Sequence, residues 1–151
     1  MKAGFPGKQF KHGIAFDDSI SDDMFKQYDY ISIWLNTIDE TKNKSTDFNP
    51  WYQGKMINKC KQLGKMPLFY GYIIAHEARA RKGYQDCDMG SYNLCHKGAQ
   101  FIKENRALLV SRYTHHAKSI AAALGNKNTE CVFVMEPDVI YFIIIISFYV
   151  L

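Results

Sequence analysis

Residues 98–138 read "GAQFIKENRALLVSRYTHHAKSIAAALGNKNTECVFVMEPD", and the fold turns on this stretch. Phe101, Ile102, Leu109, Tyr113, Ala117, Ile120 and Leu124 fall on one stripe at helical spacing, with Gly125 as the stop. The pattern predicts one helix over 98–124. His115 and His116 are adjacent in it, so they point in different directions and read as surface and flank residues. "CVFVM" (131–135) then has the composition of a buried strand and ends at Glu136-Pro137-Asp138. A helix delivering the chain to a short apolar strand is half of a repeating α/β unit.

Upstream segments repeat that unit. "GIAFD" (13–17) is a short apolar run before the helix-capping residues "DSISDD" (18–23). "YDYISIWLNT" follows, apolar on both faces, and predicts a second strand over 29–36. A polar loop, "IDETKNKSTDFNP" (38–50), leads to a helix with Trp51, Met56, Ile57, Cys60 and Leu63 at helical spacing. Pro50 stands at its first position and Gly64 at its end. "MPLFYGYIIA" (66–75) reads as a third strand terminated by "HEARAR", and 84–97 reads as a loop carrying two cysteines.

Strands alternating with helices predict an α/β fold with a parallel sheet, either open and doubly wound or part of a (β/α)8 TIM-type barrel. No G-x-G-x-x-G or Walker pattern follows any strand, which removes the usual support for a nucleotide-binding sheet and leaves a flavodoxin-like protein as the open alternative. Polar residues at the strand ends favour the barrel. Asp17 follows the first strand, Trp34 and Asn36 the second, His76, Glu77 and Arg79 the third, Glu136 and Asp138 the fourth. Gathered at one mouth, they would form a carboxylate-rich cleft edged with aromatics. Glycoside hydrolysis needs that equipment: one protonated carboxyl for the leaving group and one ionised carboxylate as base or nucleophile. Plainer roles compete. Asp17 is also a helix-capping type, and Glu77 beside Arg79 and Arg81 suits an ion-pair network. Glu136, directly after an apolar run, is the residue whose burial most needs a reason.

At 151 residues the chain fits one domain. Its net charge of +4 is spread out, without the basic stripe or motif of a nucleic-acid binder. Aromatic residues at 15% can line a groove for a polar ligand with flat faces. Cys87 and Cys95 can close a small ring in an oxidising compartment, or remain thiols in a reducing one. The C-x-x-C spacing of a zinc site and the twelfth-position glutamate of a calcium loop are both missing, so no metal and no cofactor is expected. The N-terminus has no apolar run of signal-peptide type.

The segments "LFYGYIIAHEARA", "DCDMGSYNLCHKGAQFIKENRALLVSRY" and "CVFVMEPD" resemble the N-terminal half of a group of secreted glycoside-hydrolase-like proteins, often joined to cellulose-binding modules. The resemblance runs from "GIAFDD" to Asp138. It implies a (β/α)8 barrel, an extracellular setting, a Cys87–Cys95 disulfide and a polysaccharide or oligosaccharide ligand. It also implies that Glu136 is the acid/base candidate, with Asp17, Trp34, His76, Glu77 and Asp138 touching sugar.

Only four strands precede the last thirteen residues, whereas a barrel has eight. The reading is therefore a partial barrel over 1–138 and an aberrant apolar tail over 139–151, inactive as written, with a non-enzymatic carbohydrate-binding or interaction module as the rival from another class. The tail, "VIYFIIIISFYVL", rises about 20 Å as a helix, short of a membrane span. With no crossover before it, it cannot be the next parallel strand, so it is expected to mark a departure from the family's path, as from an unspliced or frameshifted message. Four strands alone leave sheet edges open to self-association.

Overall fold

The computed structural model of the chain describes residues 11–85, 92–125 and 130–136. The first elements are β1 (Gly13–Ala15), α1 (Asp22–Lys26), β2 (Tyr30–Trp34), the short strands β3 (Ile38–Asp39) and β4 (Lys44–Ser45), and α2 (Tyr52–Leu63). There follow β5 (Met66–Gly71), α3 (Ile73–Lys82), α4 (Leu94–Glu104), α5 (Arg106–Leu124) and β6 (Val132–Met135). The helix boundaries have local causes. The Ser21 hydroxyl accepts from Met24 N–H at the start of α1, and the Asn49 side chain accepts from Trp51 and Tyr52 N–H ahead of α2. Gly64, closing α2, takes the left-handed conformation at φ +63° that costs other residues most.

The main sheet is parallel throughout, in the order β1-β2-β5-β6. Its strands therefore lie side by side in the order in which they occur in the chain. Register divides the side chains between two faces. Ile14 and Ile31, then Ile33, Phe69 and Phe133, share the first face, where they pack with Phe25 of α1, Met56, Ile57 and Cys60 of α2, Ile73 of α3, and Ile120 and Leu124 of α5. Each large apolar side chain buried there contributes about 1.5–3 kcal/mol. Tyr30, Met66, Leu68, Tyr70, Val132 and Val134 are on the second face, and all are half-buried. Neither buried cluster includes them. The second cluster joins α3, α4 and α5 through Ile74, Ala78, Leu94, Phe101 and Leu109.

Several expectations are corrected. The third strand ends at Gly71, and 73–82 is helix, so His76, Glu77 and Arg79 stand on α3 and not at a strand terminus. The predicted helix over 98–124 is two helices broken at Asn105, and the first begins at Leu94, which takes Cys95 and His96 out of the expected loop. His116 is not a flank residue, for it is wholly buried. The polar loop after β2 contains the β3–β4 hairpin, with Ile38 opposite Ser45. The Cys87–Cys95 pairing, Asp138 and the 139–151 tail lie outside the described residues; Cys60 and Cys131 are free thiols.

Candidate functional site

Because the sheet is parallel, Asp17, Trp34, Tyr72 and Glu136 stand along one edge, just at or beyond the ends of β1, β2, β5 and β6. A cleft of about 380 Å3 opens at that edge, lined by Trp34, Asn36, Thr37, Tyr72, Ala75, His76 and Arg79. Trp34 is 54% exposed, and its ring lies 5.7 Å from that of Tyr70 and 4.9 Å from that of Tyr72. Tyr72 in turn stands 5.9 Å from the His76 ring. The result is a continuous wall of flat side chains backed by the sheet. The first turn of α2 is tied to the same edge, since Gln53 Nε2 donates to the carbonyls of Trp34 and Leu35 at 3.0 and 3.2 Å. Just before that turn stands Trp51, the most exposed large apolar side chain described, with Lys55 Nζ 4.1 Å above its ring.

Asn36 is the buried polar hub of the cleft. Its Oδ1 accepts from Tyr72 N–H at 3.1 Å, its Nδ2 donates to the Tyr72 carbonyl at 3.3 Å, and the same Nδ2 lies 3.0 Å from His76 Nδ1. The end of β2 is thereby bound to the first turn of α3.

Glu136 is fully buried. Its backbone N–H donates to the Gly71 carbonyl at 2.8 Å, and its φ of +47° is in the left-handed region that a side chain adopts only under constraint. The turn aims the carboxylate at the start of α3: Oε1 accepts from Ile74 N–H at 2.7 Å and from the Tyr113 hydroxyl at 2.9 Å, and Oε2 accepts from Ala75 N–H at 3.2 Å. Burial pushes the carboxyl up to about 7 against the opposing pull of these donors. Burial and the Glu136 charge together hold the Tyr113 hydroxyl well above the usual phenol range. A carboxyl half-protonated near neutrality suits a general acid, yet its oxygens are engaged by the protein and shut from solvent.

Glu77 faces away from this chemistry. It is fully buried under the β3–β4 hairpin, where Oε1 accepts from Ser45 N–H at 3.1 Å and Ser45 Oγ at 2.7 Å, and Oε2 accepts from Arg81 Nε at 2.7 Å. Arg112 Nε lies 3.1 Å from Oε1 and its guanidinium also binds the Ser45 and Thr46 carbonyls and Asp47. Burial raises the Glu77 carboxyl, but Arg81 and Ser45 outweigh it and leave it below its ordinary range. Glu77 is an ionised staple between helix and hairpin. Asp17 is exposed and accepts from the N–H and hydroxyl of Ser19, bonds that hold its carboxyl low. It closes a turn at the end of β1.

Of the residues expected to meet sugar, the structure thus brings Trp34 and His76 into the cleft. It adds Tyr72 and Thr37, which sequence reading did not single out, and the supporting partners Tyr70 and Tyr113. Among the described residues no group of three His, Cys, Asp or Glu side chains is placed to hold a metal ion, and no helix is long and apolar enough to cross a membrane. No protein-family model, no curated protein and no solved structure matches the chain.

Proposed function

We propose that the mouth of this sheet is a saccharide-binding cleft on the N-terminal half of a (β/α)8 barrel of glycoside-hydrolase type, with a β-linked polysaccharide of the cellulose kind as ligand. The observation that carries this reading is the exposed Trp34 laid against Tyr70 and Tyr72, with Asn36, Thr37, His76 and Arg79 alongside. Flat aromatic faces match the apolar faces of pyranose rings, and the polar groups beside them match the hydroxyls at the ring edges. Strand order supports the barrel over the flavodoxin-like alternative, because a doubly wound sheet reverses its order and has helices on both faces. The same reading belongs to an oxidising extracellular setting, where a Cys87–Cys95 bridge would form.

Binding is favoured over bond cleavage in this arrangement, since Glu136 has its carboxylate buried against α3. The hydrolytic reading rests on the raised Glu136 carboxyl and its left-handed backbone. The test is fluorescence titration with cello-oligosaccharides and pull-down on insoluble cellulose, together with a reducing-sugar assay. Trp34→Ala is expected to weaken binding by roughly tenfold, while Glu136→Gln leaves binding in place, and no sugar is released by either chain. Wild-type affinity in Trp34→Ala, or no saccharide binding by the parent chain, overturns the reading. Sugar release that disappears in Glu136→Gln establishes hydrolysis instead.

A further inference from the structure

Asn36 sits where its amide orientation is dictated by groups whose roles cannot be exchanged. Tyr72 N–H can only donate, so the atom 3.1 Å from it must be Oδ1; the Tyr72 carbonyl can only accept, so the atom 3.3 Å from it must be Nδ2. That same Nδ2 lies 3.0 Å from His76 Nδ1. An amide NH2 offers no lone pair. The contact is a hydrogen bond only if Nδ1 carries the lone pair of the imidazole, which leaves the ring proton on Nε2. From this geometry we infer that Asn36 is a positioning residue that locks His76 as the neutral, Nε2-protonated tautomer.

The alternatives meet a definite obstacle. Protonating Nδ1, as the other neutral tautomer or the cation requires, sets one N–H against another across 3.0 Å, at a site where Asn36 is buried and cannot turn without breaking both bonds to Tyr72. Arg79, also on α3, lines the same cleft. Tyr72 contributes a ring 5.9 Å away. His76 is therefore suited neither to take a proton at Nδ1 nor to bind a metal through it.

A long-range proton–nitrogen NMR spectrum of the uniformly 15N-labelled chain reads the tautomer directly, with the His76 signals identified by their loss in His76→Gln. At pH 7 and without ligand, Nε2 is expected to show the protonated type of resonance and Nδ1 the unprotonated type. Asn36→Asp keeps an acceptor for Tyr72 N–H but turns a carboxylate oxygen toward Nδ1. It is expected to move the proton to Nδ1 and to raise the His76 titration midpoint by about one pH unit or more. A wild-type spectrum with the proton on Nδ1, or an unchanged tautomer in a folded Asn36→Asp chain, overturns the inference; if that variant does not fold, the wild-type spectrum alone decides. Because the spectrum is taken without sugar, the two proposals fail separately. Correct tautomer without saccharide binding removes the proposed function, and saccharide binding with the wrong tautomer removes this one.

Discussion

Glu136 and His116 are both fully buried, and they respond to pH in opposite senses. The Glu136 carboxyl is raised from 4.5 to about 7 by burial, so the folded chain holds the extra proton between those values; its stabilising effect is complete below about pH 4.5 and is lost as pH rises through 7. His116, with neither ring nitrogen hydrogen-bonded, is lowered from 6.5 to about 4 by burial and by the nearby Arg112 charge. Here the unfolded chain holds the extra proton, and stability is lost as pH falls from 6.5 through 4. Each effect is on the order of 3 kcal/mol at full extent, so they oppose one another between about pH 4.5 and 6.5. Urea denaturation across that range is expected to give a nearly flat stability profile for the parent chain. In Glu136→Gln it should fall with acidification, and in His116→Phe with alkalinisation. His116→Phe is also expected to be the more stable protein at pH 5, because no bond is lost and two unpaired nitrogens are removed. At this scale Glu136 was legible in sequence, as a carboxylate abutting an apolar run. His116 was not, because its neighbour His115 is exposed and only the packing of α5 distinguishes them.

Strands β5 and β6 approach each other closely at Gly71, at the end of β5. A Cβ there would lie 2.8 Å from Cζ of Phe133 on β6. Gly71→Ala is expected to cost about 1–3 kcal/mol by thermal denaturation, and Phe133→Leu in the same chain should recover part of it by opening room. The hairpin depends on Arg112 in a comparable way. Arg112→Met strips the Ser45 and Thr46 carbonyls of their donor and leaves Glu77 with the Ser45 bonds and, among the described residues, Arg81 as its one cation. A loss of about 2–4 kcal/mol is expected, together with faster tryptic cleavage at Lys42 and Lys44. Sequence reading found α2 from its helical period and β2 and β6 from their short apolar runs, and it missed where β5 yields to α3. Ile73, Ile74 and Ala75 are as apolar as a strand, and what turns them into a helix comes from afar: the Asn36 amide on Tyr72 and the Glu136 carboxylate on Ile74 and Ala75. The break at Asn105 was equally hidden. Its side chain donates to the Phe101 carbonyl, and the apolar stripe runs straight through it.

Over the whole molecule, α1, α2, α3 and α5 fill one side of the sheet, while Met66, Leu68, Tyr70, Val132 and Val134 stay half-exposed on the other. This uneven burial predicts that the chain associates at micromolar concentration through its less buried side. Sedimentation is expected to shift toward monomer in Leu68→Lys and Val134→Lys, and equal association in both would exclude this face as the contact. Parallel architecture and strand sequence were legible from the alternation of elements. The uneven burial of the two faces was less so, because β2, β5 and β6 all read as apolar throughout and only their register separates one side from the other. The carboxylate bonded to the first turn of α3 belongs to a residue 62 positions downstream of Ile74. During synthesis, α3 emerges from the ribosome well before the group that secures its beginning. Until β6 has docked, that turn has open amides and a frayed start, so closure of the Glu136 contact is a late event in folding, and a nascent chain stopped short of residue 136 holds the cleft's own helix loosely at its most important end.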